Sequence, residues 1–340
     1  MNKPSSHHLT RLALILTILS GMALAQGPPP GFVRTPDSRF ENLADFPYEP
    51  QYLTFEDGVR MHFIDEGGGD PILLLHGQPT WSYVYRDVIE ALVPEGRVVA
   101  PDMIGFGRSD KGIHPSQYSS AMHLERLQGF IEELDLINIT LVGHDWGALF
   151  GLVLAAEMPD RFARLVILNG PVWSISGKYG PESQGGPSEA FLQYRQLAES
   201  WPDVSASALI QSATVKQLPP EVLTAYDAPF PDFPHRAAIR TFPLLVPITT
   251  LDPAAIRFWA AGQRLKQWKR PAFVMFSDLD AFSKGGDAQL RALIPTAQQE
   301  PIVTIQASGH FVQEDATHDL IREILAFLER RPINPKRLRK

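Results

Sequence analysis

The stretch Ile139-Thr140-Leu141-Val142-Gly143-His144-Asp145-Trp146-Gly147-Ala148 governs the reading of the whole chain. Its first four residues are a short apolar, β-branched run of the kind that forms a strand buried on both faces. Residues 148–157 are apolar and helix-forming, so a strand passes into a helix through five residues with a glycine at each end. In such a turn the glycines let strand and helix approach each other, and the middle side chain is thrust out beside the positive end of the helix. That side chain is Asp145. A serine placed there needs a neighbouring base to become a nucleophile, whereas an aspartate is ionised near neutral pH and needs none. A carboxylate so placed is suited to displacement at a saturated carbon, forming an alkyl-enzyme ester. The competing reading, an aspartate that merely caps the helix, leaves the paired glycines unexplained.

Outward from this turn, short apolar runs alternate with segments of helical period: 71–75 then 83–92, 98–101 then 123–136, and 165–168 after the elbow helix. Buried strands joined by helical crossovers imply a mostly parallel sheet. Ahead of them, residues 52–55 and 60–64 flank Asp57-Gly58 and signal a hairpin. Between about 171 and 270 the alternation gives way to short helical pieces broken by proline, among them 190–199 and 253–260. Strand pattern returns at 272–276 and 302–305, and an amphipathic segment, 320–328, closes the chain. The chain is therefore expected to be an α/β fold with an inserted helical cap: core 46–172, cap 173–268, core 269–331.

The chain has 340 residues, 44% hydrophobic and 20% charged, enough to bury a large core. Its 31 basic and 38 acidic side chains leave −7, so there is no global positive field for a nucleic-acid partner. The absence of cysteine excludes disulfides, thiolate metal sites and cysteine nucleophiles. Residues 1–25 carry Lys3 and Arg11, an apolar run over 12–24 and Ala23-Leu24-Ala25, the pattern of a cleaved secretory signal. The run is shorter than the roughly 20 residues that span a bilayer, so no stable membrane anchor is expected after cleavage, and the mature protein is expected in the periplasm or outside the cell. Cleavage removes two bases and no acid, so −7 becomes −9. Residues 26–45 are expected as an extended linker and 332–340 as a solvated basic tail.

Three further motifs bear on chemistry. His310, in Ala307-Ser308-Gly309-His310-Phe311, follows the last strand and is the natural general base, in the chain order nucleophile, acid, histidine. Phe276-Ser277-Asp278-Leu279-Asp280 follows the penultimate strand and offers two carboxylates. Asp280 is preferred as the histidine's partner because it lies farther past the strand, with Asp278 turning the loop. His76-Gly77-Gln78-Pro79-Thr80-Trp81 follows the strand over 71–75, where backbone N–H groups of Gln78 and Trp146 are placed to form an oxyanion hole.

Together with Pro101-Asp102-Met103-Ile104-Gly105-Phe106-Gly107-Arg108-Ser109-Asp110-Lys111, Ala228-Pro229-Phe230-Pro231-Asp232 and Gly309-His310-Phe311-Val312-Gln313-Glu314, these motifs resemble the haloalkane dehalogenases of the α/β-hydrolase fold, more narrowly their subfamily I. The resemblance runs from about Pro47 to Arg330. It implies hydrolysis of a small halogenated alkane by water to alcohol and halide, without metal or organic cofactor. Asp145 would be nucleophile, His310 base and Asp280 acid. It also implies halide donors. Trp146 matches the first, but the lid tryptophan of subfamily I aligns with Tyr194 here, while Gln78 stands where a related subfamily uses asparagine; Tyr194 and Gln78 both remain candidates, and Trp173 and Trp201 are further lid-side ones. Tyr194 keeps an alternative open, because epoxide hydrolases pair the same Asp-His-Asp set with a lid tyrosine as proton donor. Against that reading, Gln78 stands where those enzymes usually carry an aromatic. A non-catalytic binding protein on this fold is the third reading. Phe191, Phe230 and Phe242 are candidates for lining the pocket or packing the core.

Overall fold

The computed structural model describes residues 27–180, 183–201 and 203–333. The expected export signal and most of the basic tail lie outside them, and among the described residues no helix is long and apolar enough to cross a membrane.

Eight strands form the main sheet: β1 (Gln51–Thr54), β2 (Arg60–Glu66), β3 (Pro71–Leu75), β4 (Arg97–Pro101), β5 (Ile139–His144), β6 (Phe162–Leu168), β7 (Ala272–Ser277) and β8 (Val303–Ile305). Their spatial order is β8-β7-β6-β5-β3-β4-β2-β1, and only β2 runs against its neighbours. Every residue of β3, β5 and β6 is buried, which is why these strands read as continuous apolar runs rather than alternating ones. Helices α1 (Arg86–Leu92), α2 (Ser120–Glu133) and α3 (Trp146–Glu157) make the early crossovers. α3 starts two residues before the apolar helical run, because the chain turns at Asp145 itself, with φ 52° and ψ −120°.

Between β6 and β7 lie α4 (Trp173–Ser176), α5 (Glu189–Ser200), α6 (Ala206–Ser212), α7 (Pro220–Asp227), α8 (Ala237–Leu245) and α9 (Ala255–Leu265). α9 packs on α3 and α4, so the ends of the insertion join the sheet layer. α5 packs with α8 and α6 with α7, and α5 and α6 supply residues to the wall of the site cavity. α10 (Gly286–Leu293), α11 (Val312–Asp315) and α12 (Thr317–Arg330) complete the core, α12 against α1.

Residues 27–45, expected as an extended linker, instead hold a short strand, a 3-10 turn at Asp37–Phe40 and several turns, and they are bound to the body. Phe32–Val33 pairs with Lys111–Gly112, and the Arg34 guanidinium grips Asp110 at 2.7 and 2.9 Å. Thr35 Oγ1 donates to the Pro229 carbonyl of the insertion at 2.7 Å. The sequence offers only its Pro-Gly start, which signals an open chain and hides these pairings. A second tie joins core and insertion: Glu314 receives both forks of Arg86, at 2.6 and 2.8 Å, and the Tyr226 hydroxyl of α7. Both ionic partners are nearly buried, so breaking the pair leaves an uncompensated charge. Glu314→Gln is expected to lower unfolding free energy by about 3 kcal/mol, read from the urea midpoint.

Candidate active site

Parallel register brings the ends of β3, β5, β6, β7 and β8 to one edge, with Leu75 beside Gly143, His144 beside Leu168 and Ser277 beside Ile305. Just past these ends stand Gln78, Asp145, Asn169, Asp280 and His310, at the carboxyl edge where open α/β sheets bind ligands.

Asp145 sits in a backbone conformation rare for a residue with a side chain, a strain that clusters at functional sites. The elbow is feasible because a Cβ on Gly147 would lie 1.9 Å from the Leu75 carbonyl oxygen, so only glycine lets α3 approach β3. Gly77 is equally constrained: a Cβ there would come within 2.3 Å of the Asp145 side chain. The Gly77 carbonyl accepts from His76 Nδ1 at 2.9 Å and from Thr80 Oγ1 at 2.8 Å. His76 Nε2 accepts from the Met103 N–H at 2.9 Å, which fixes the neutral Nδ1–H tautomer. With its carbonyl held, the Gly77–Gln78 peptide aims its N–H at Asp145 Oδ1, at 2.9 Å. Trp146, the first residue of α3, contributes one of the unpaired donors of a helix start.

His310 Nε2 lies 3.5 Å from Asp145 Oδ2, and its Nδ1 lies 3.0 Å from Asp280 Oδ2. Of the two carboxylates after β7, Asp278 accepts instead from the Ser308 N–H at 3.1 Å and ties the histidine loop. Asp280 is buried and further held by the Phe282 N–H at 2.9 Å and the Ser283 hydroxyl. Burial alone lowers the His310 pKa, but the charge of Asp280 and the bonds to Asp145 and Asp280 outweigh it and raise it to about 10. Burial likewise works against ionised Asp280, and the His310 charge overrides it, holding the carboxyl below its ordinary range.

A cavity of about 50 Å³ opens onto Asp145 and His310, walled by Trp146, Trp173, Phe191, Tyr194, Phe282 and Phe311. At roughly 10–15 Å³ for each water-sized group, it accepts a molecule of a few heavy atoms. Phe230 and Phe242 pack instead against Phe106, and Phe242 also backs Trp146 at 5.2 Å. The Trp146 indole N–H meets no acceptor among the described residues, whereas that of Trp173 is spent on the Pro247 carbonyl at 3.2 Å and Trp201 packs its ring on Tyr194. Tyr194 and Gln78 touch each other: the phenol donates to Gln78 Oε1 at 2.7 Å, while Gln78 Nε2 donates to the Ile239 carbonyl at 3.1 Å. Because Ile239 offers only an acceptor, the amide orientation is fixed. Among the described residues, no three His, Asp or Glu side chains are grouped so as to hold a metal ion.

Asn169 and Ser283 stand in none of the motifs quoted from the sequence, and His76 and His144 stand inside two of them without an assigned role. Each works through a neighbour; His76, His144 and Asn169 stand at strand ends, whereas Ser283 lies in the loop after β7 with no such signal.

A carboxylate elbow, an N–H pocket and a histidine after the last strand define a hydrolase of the α/β-hydrolase fold, and that family matches residues 70–318. More narrowly, the chain belongs to the haloalkane dehalogenases, hydrolases acting on carbon–halide bonds. It is 41% identical to a haloalkane dehalogenase of Psychrobacter cryohalolentis, over 88% of this chain and 99% of that one. It is 42% identical to one of Mycobacterium marinum, over 87% and 99%. The tetrameric haloalkane dehalogenase DpaA from Paraglaciecola agarilytica superposes with a TM-score of 0.77 at 34% identity, covering 87% of this chain and 98% of its own. Its reaction is hydrolytic dehalogenation, with a halogenated alkane and water as reactants.

Proposed function

We propose that this dehalogenation runs as a two-step displacement on Asp145. Oδ1 is held by the Gln78 N–H, and Oδ2, 3.5 Å from His310 Nε2, is the oxygen that attacks the carbon bearing the halogen. The C–O bond forms as the C–halogen bond breaks, and the halide leaves with its electron pair. Esterification removes the Asp145 charge, one of the influences that hold the His310 proton, so the histidine releases that proton and becomes a base. Water then gives a proton to Nε2 and its oxygen attacks the ester carbonyl. The oxyanion on Oδ1 rests against the Gln78 and Trp146 N–H groups. Collapse frees the alcohol, restores the carboxylate and leaves His310 protonated, for a net yield of alcohol, halide and one proton. The observation that carries this reading is the elbow carboxylate with one oxygen on a backbone donor and the other facing His310.

The halide, in this reading, leaves between the Trp146 indole N–H and the remaining N–H of Gln78 Nε2. Tyr194 holds the amide and does not serve as a proton donor. Its proton is engaged with Gln78, and burial pushes the phenol well above its ordinary range, both unhelpful to the acid an epoxide requires. Wild-type protein is expected to release bromide from 1,2-dibromoethane and form little diol from styrene oxide; diol without bromide contradicts the reading. Tyr194→Phe should weaken bromide binding about fivefold, the worth of one hydrogen bond, measured by bromide inhibition. Unchanged bromide affinity removes Tyr194 from halide stabilisation.

Action outside the cytoplasm is part of this proposal and rests on the charged start, apolar run and small-residue site of residues 1–25. Secreted protein should begin at Gln26; uncleaved protein retained in the cytoplasm contradicts it.

A further inference from the structure

Two side chains that the displacement does not use converge on the backbone of the base. His144 is the last residue of β5 and Asn169 the first past β6, on neighbouring strands. His144 Nε2 lies 2.8 Å from the His310 carbonyl oxygen, and Asn169 Nδ2 lies 2.9 Å from the same oxygen. The Val312 N–H also donates to this oxygen, at 3.1 Å, so the two side chains join one backbone donor there. Because a carbonyl only accepts, His144 must carry its proton on Nε2. Burial lowers the His144 pKa to about 4, which keeps the ring neutral, and its Nδ1 is buried without a partner. Asn169 is held in turn: Oδ1 accepts from the Ser277 N–H at 2.9 Å and Nδ2 reaches Ser277 Oγ at 2.8 Å. Its φ is 35°, a second left-handed residue beside the elbow. On its N–H side, His310 donates to the Ala213 carbonyl at 2.9 Å, and the loop leading to it turns at Ala307, φ 53°. Of the bonds that hold this segment, those from His144 and Asn169 are the side-chain ones that tie the His310 peptide to the ends of the neighbouring strands β5 and β6.

We propose that His144 and Asn169 are positioning residues that clamp the His310 main chain, so that its imidazole is placed for the hydrolytic step. This rests on the two-step reading and adds a directional consequence. Displacement of halide calls on Asp145 and the halide donors but not on a base, whereas ester cleavage needs His310 within hydrogen-bond reach of water. Loosening the clamp therefore slows the second step and spares the first, whereas general damage to the fold slows both.

The test uses His144→Phe, which keeps a ring and removes the donor, and His144→Gln, whose amide reaches the same place with an N–H. Each is mixed with excess 1,2-dibromoethane; bromide release reports the first step, and decay of the added mass on the intact protein after dilution reports the second. For His144→Phe the expected result is a bromide burst within threefold of wild type and ester decay slowed at least tenfold, with His144→Gln restoring most of the decay rate. Asn169→Ser is expected to shift the ratio of the two rates in the same direction and decides the matter if His144→Phe does not fold. Equal slowing of both steps, or ester decay at the wild-type rate, overturns the proposal. His310→Gln serves as the control for the underlying reading. If it never carries an added mass, the ester itself is absent and the failure lies there, not in the clamp.

Discussion

Replacing His310 with glutamine is expected to stop turnover after one equivalent of bromide, with the alkyl group retained on Asp145. The size of the effect follows from the role: a positioned general base is worth about 10²–10⁴-fold, all of it on the second step. The first step needs no base, because Asp145 attacks as a carboxylate, its Oδ1 fixed by the Gln78 N–H. Glutamine fills similar space and can donate toward Asp280, so the loop keeps its place while the base is lost. Intact-protein mass spectrometry after brief exposure to 1,2-dibromoethane should show a bromoethyl addition, and peptide mapping should place it at Asp145. Wild-type turnover by this variant removes His310 from the mechanism.

Asp145→Asn is expected to abolish bromide release altogether, a loss of about 10⁴-fold or more, because an amide oxygen is a far weaker nucleophile than a carboxylate. The same substitution has a second signature. His310 is raised from 6.5 to about 10 in part by Asp145, so its folded pKa should fall in the variant. A raised histidine pKa stabilises the fold fully below the unfolded value, and that stabilisation fades as pH rises through the folded one. Wild-type protein should therefore lose stability between about pH 6.5 and 10, whereas Asp145→Asn loses less across the same window. Urea midpoints at both ends measure this; equal losses would mean that the carboxylate does not help to hold the histidine's proton.

How much of this was legible beforehand depended on whether a residue acts itself or through another. The elbow was readable because two glycines bracket one polar residue between a buried strand and a helix, a pattern forced by the 1.9 Å approach to Leu75. The mostly parallel sheet likewise follows from apolar runs alternating with helical segments, whereas the order of its strands does not. Helix starts were less legible: α3 begins at Trp146 because the turn happens at Asp145, where no propensity signal exists. The choice between Tyr194 and Gln78 lay beyond the sequence, since they are 116 residues apart and only the cap brings phenol and amide together. The binding of residues 27–45 to the body was hidden for the same reason, being made by distant partners such as Asp110 and Pro229.

The most direct measurement is one turnover in heavy-oxygen water with enzyme in excess over 1,2-dibromoethane. If the alkyl ester on Asp145 is real, the alcohol of this first cycle carries ordinary oxygen taken from the aspartate, and the solvent label appears in the Asp145 side chain. Label in the alcohol with none in Asp145 means that water attacked the substrate directly, and the account is wrong.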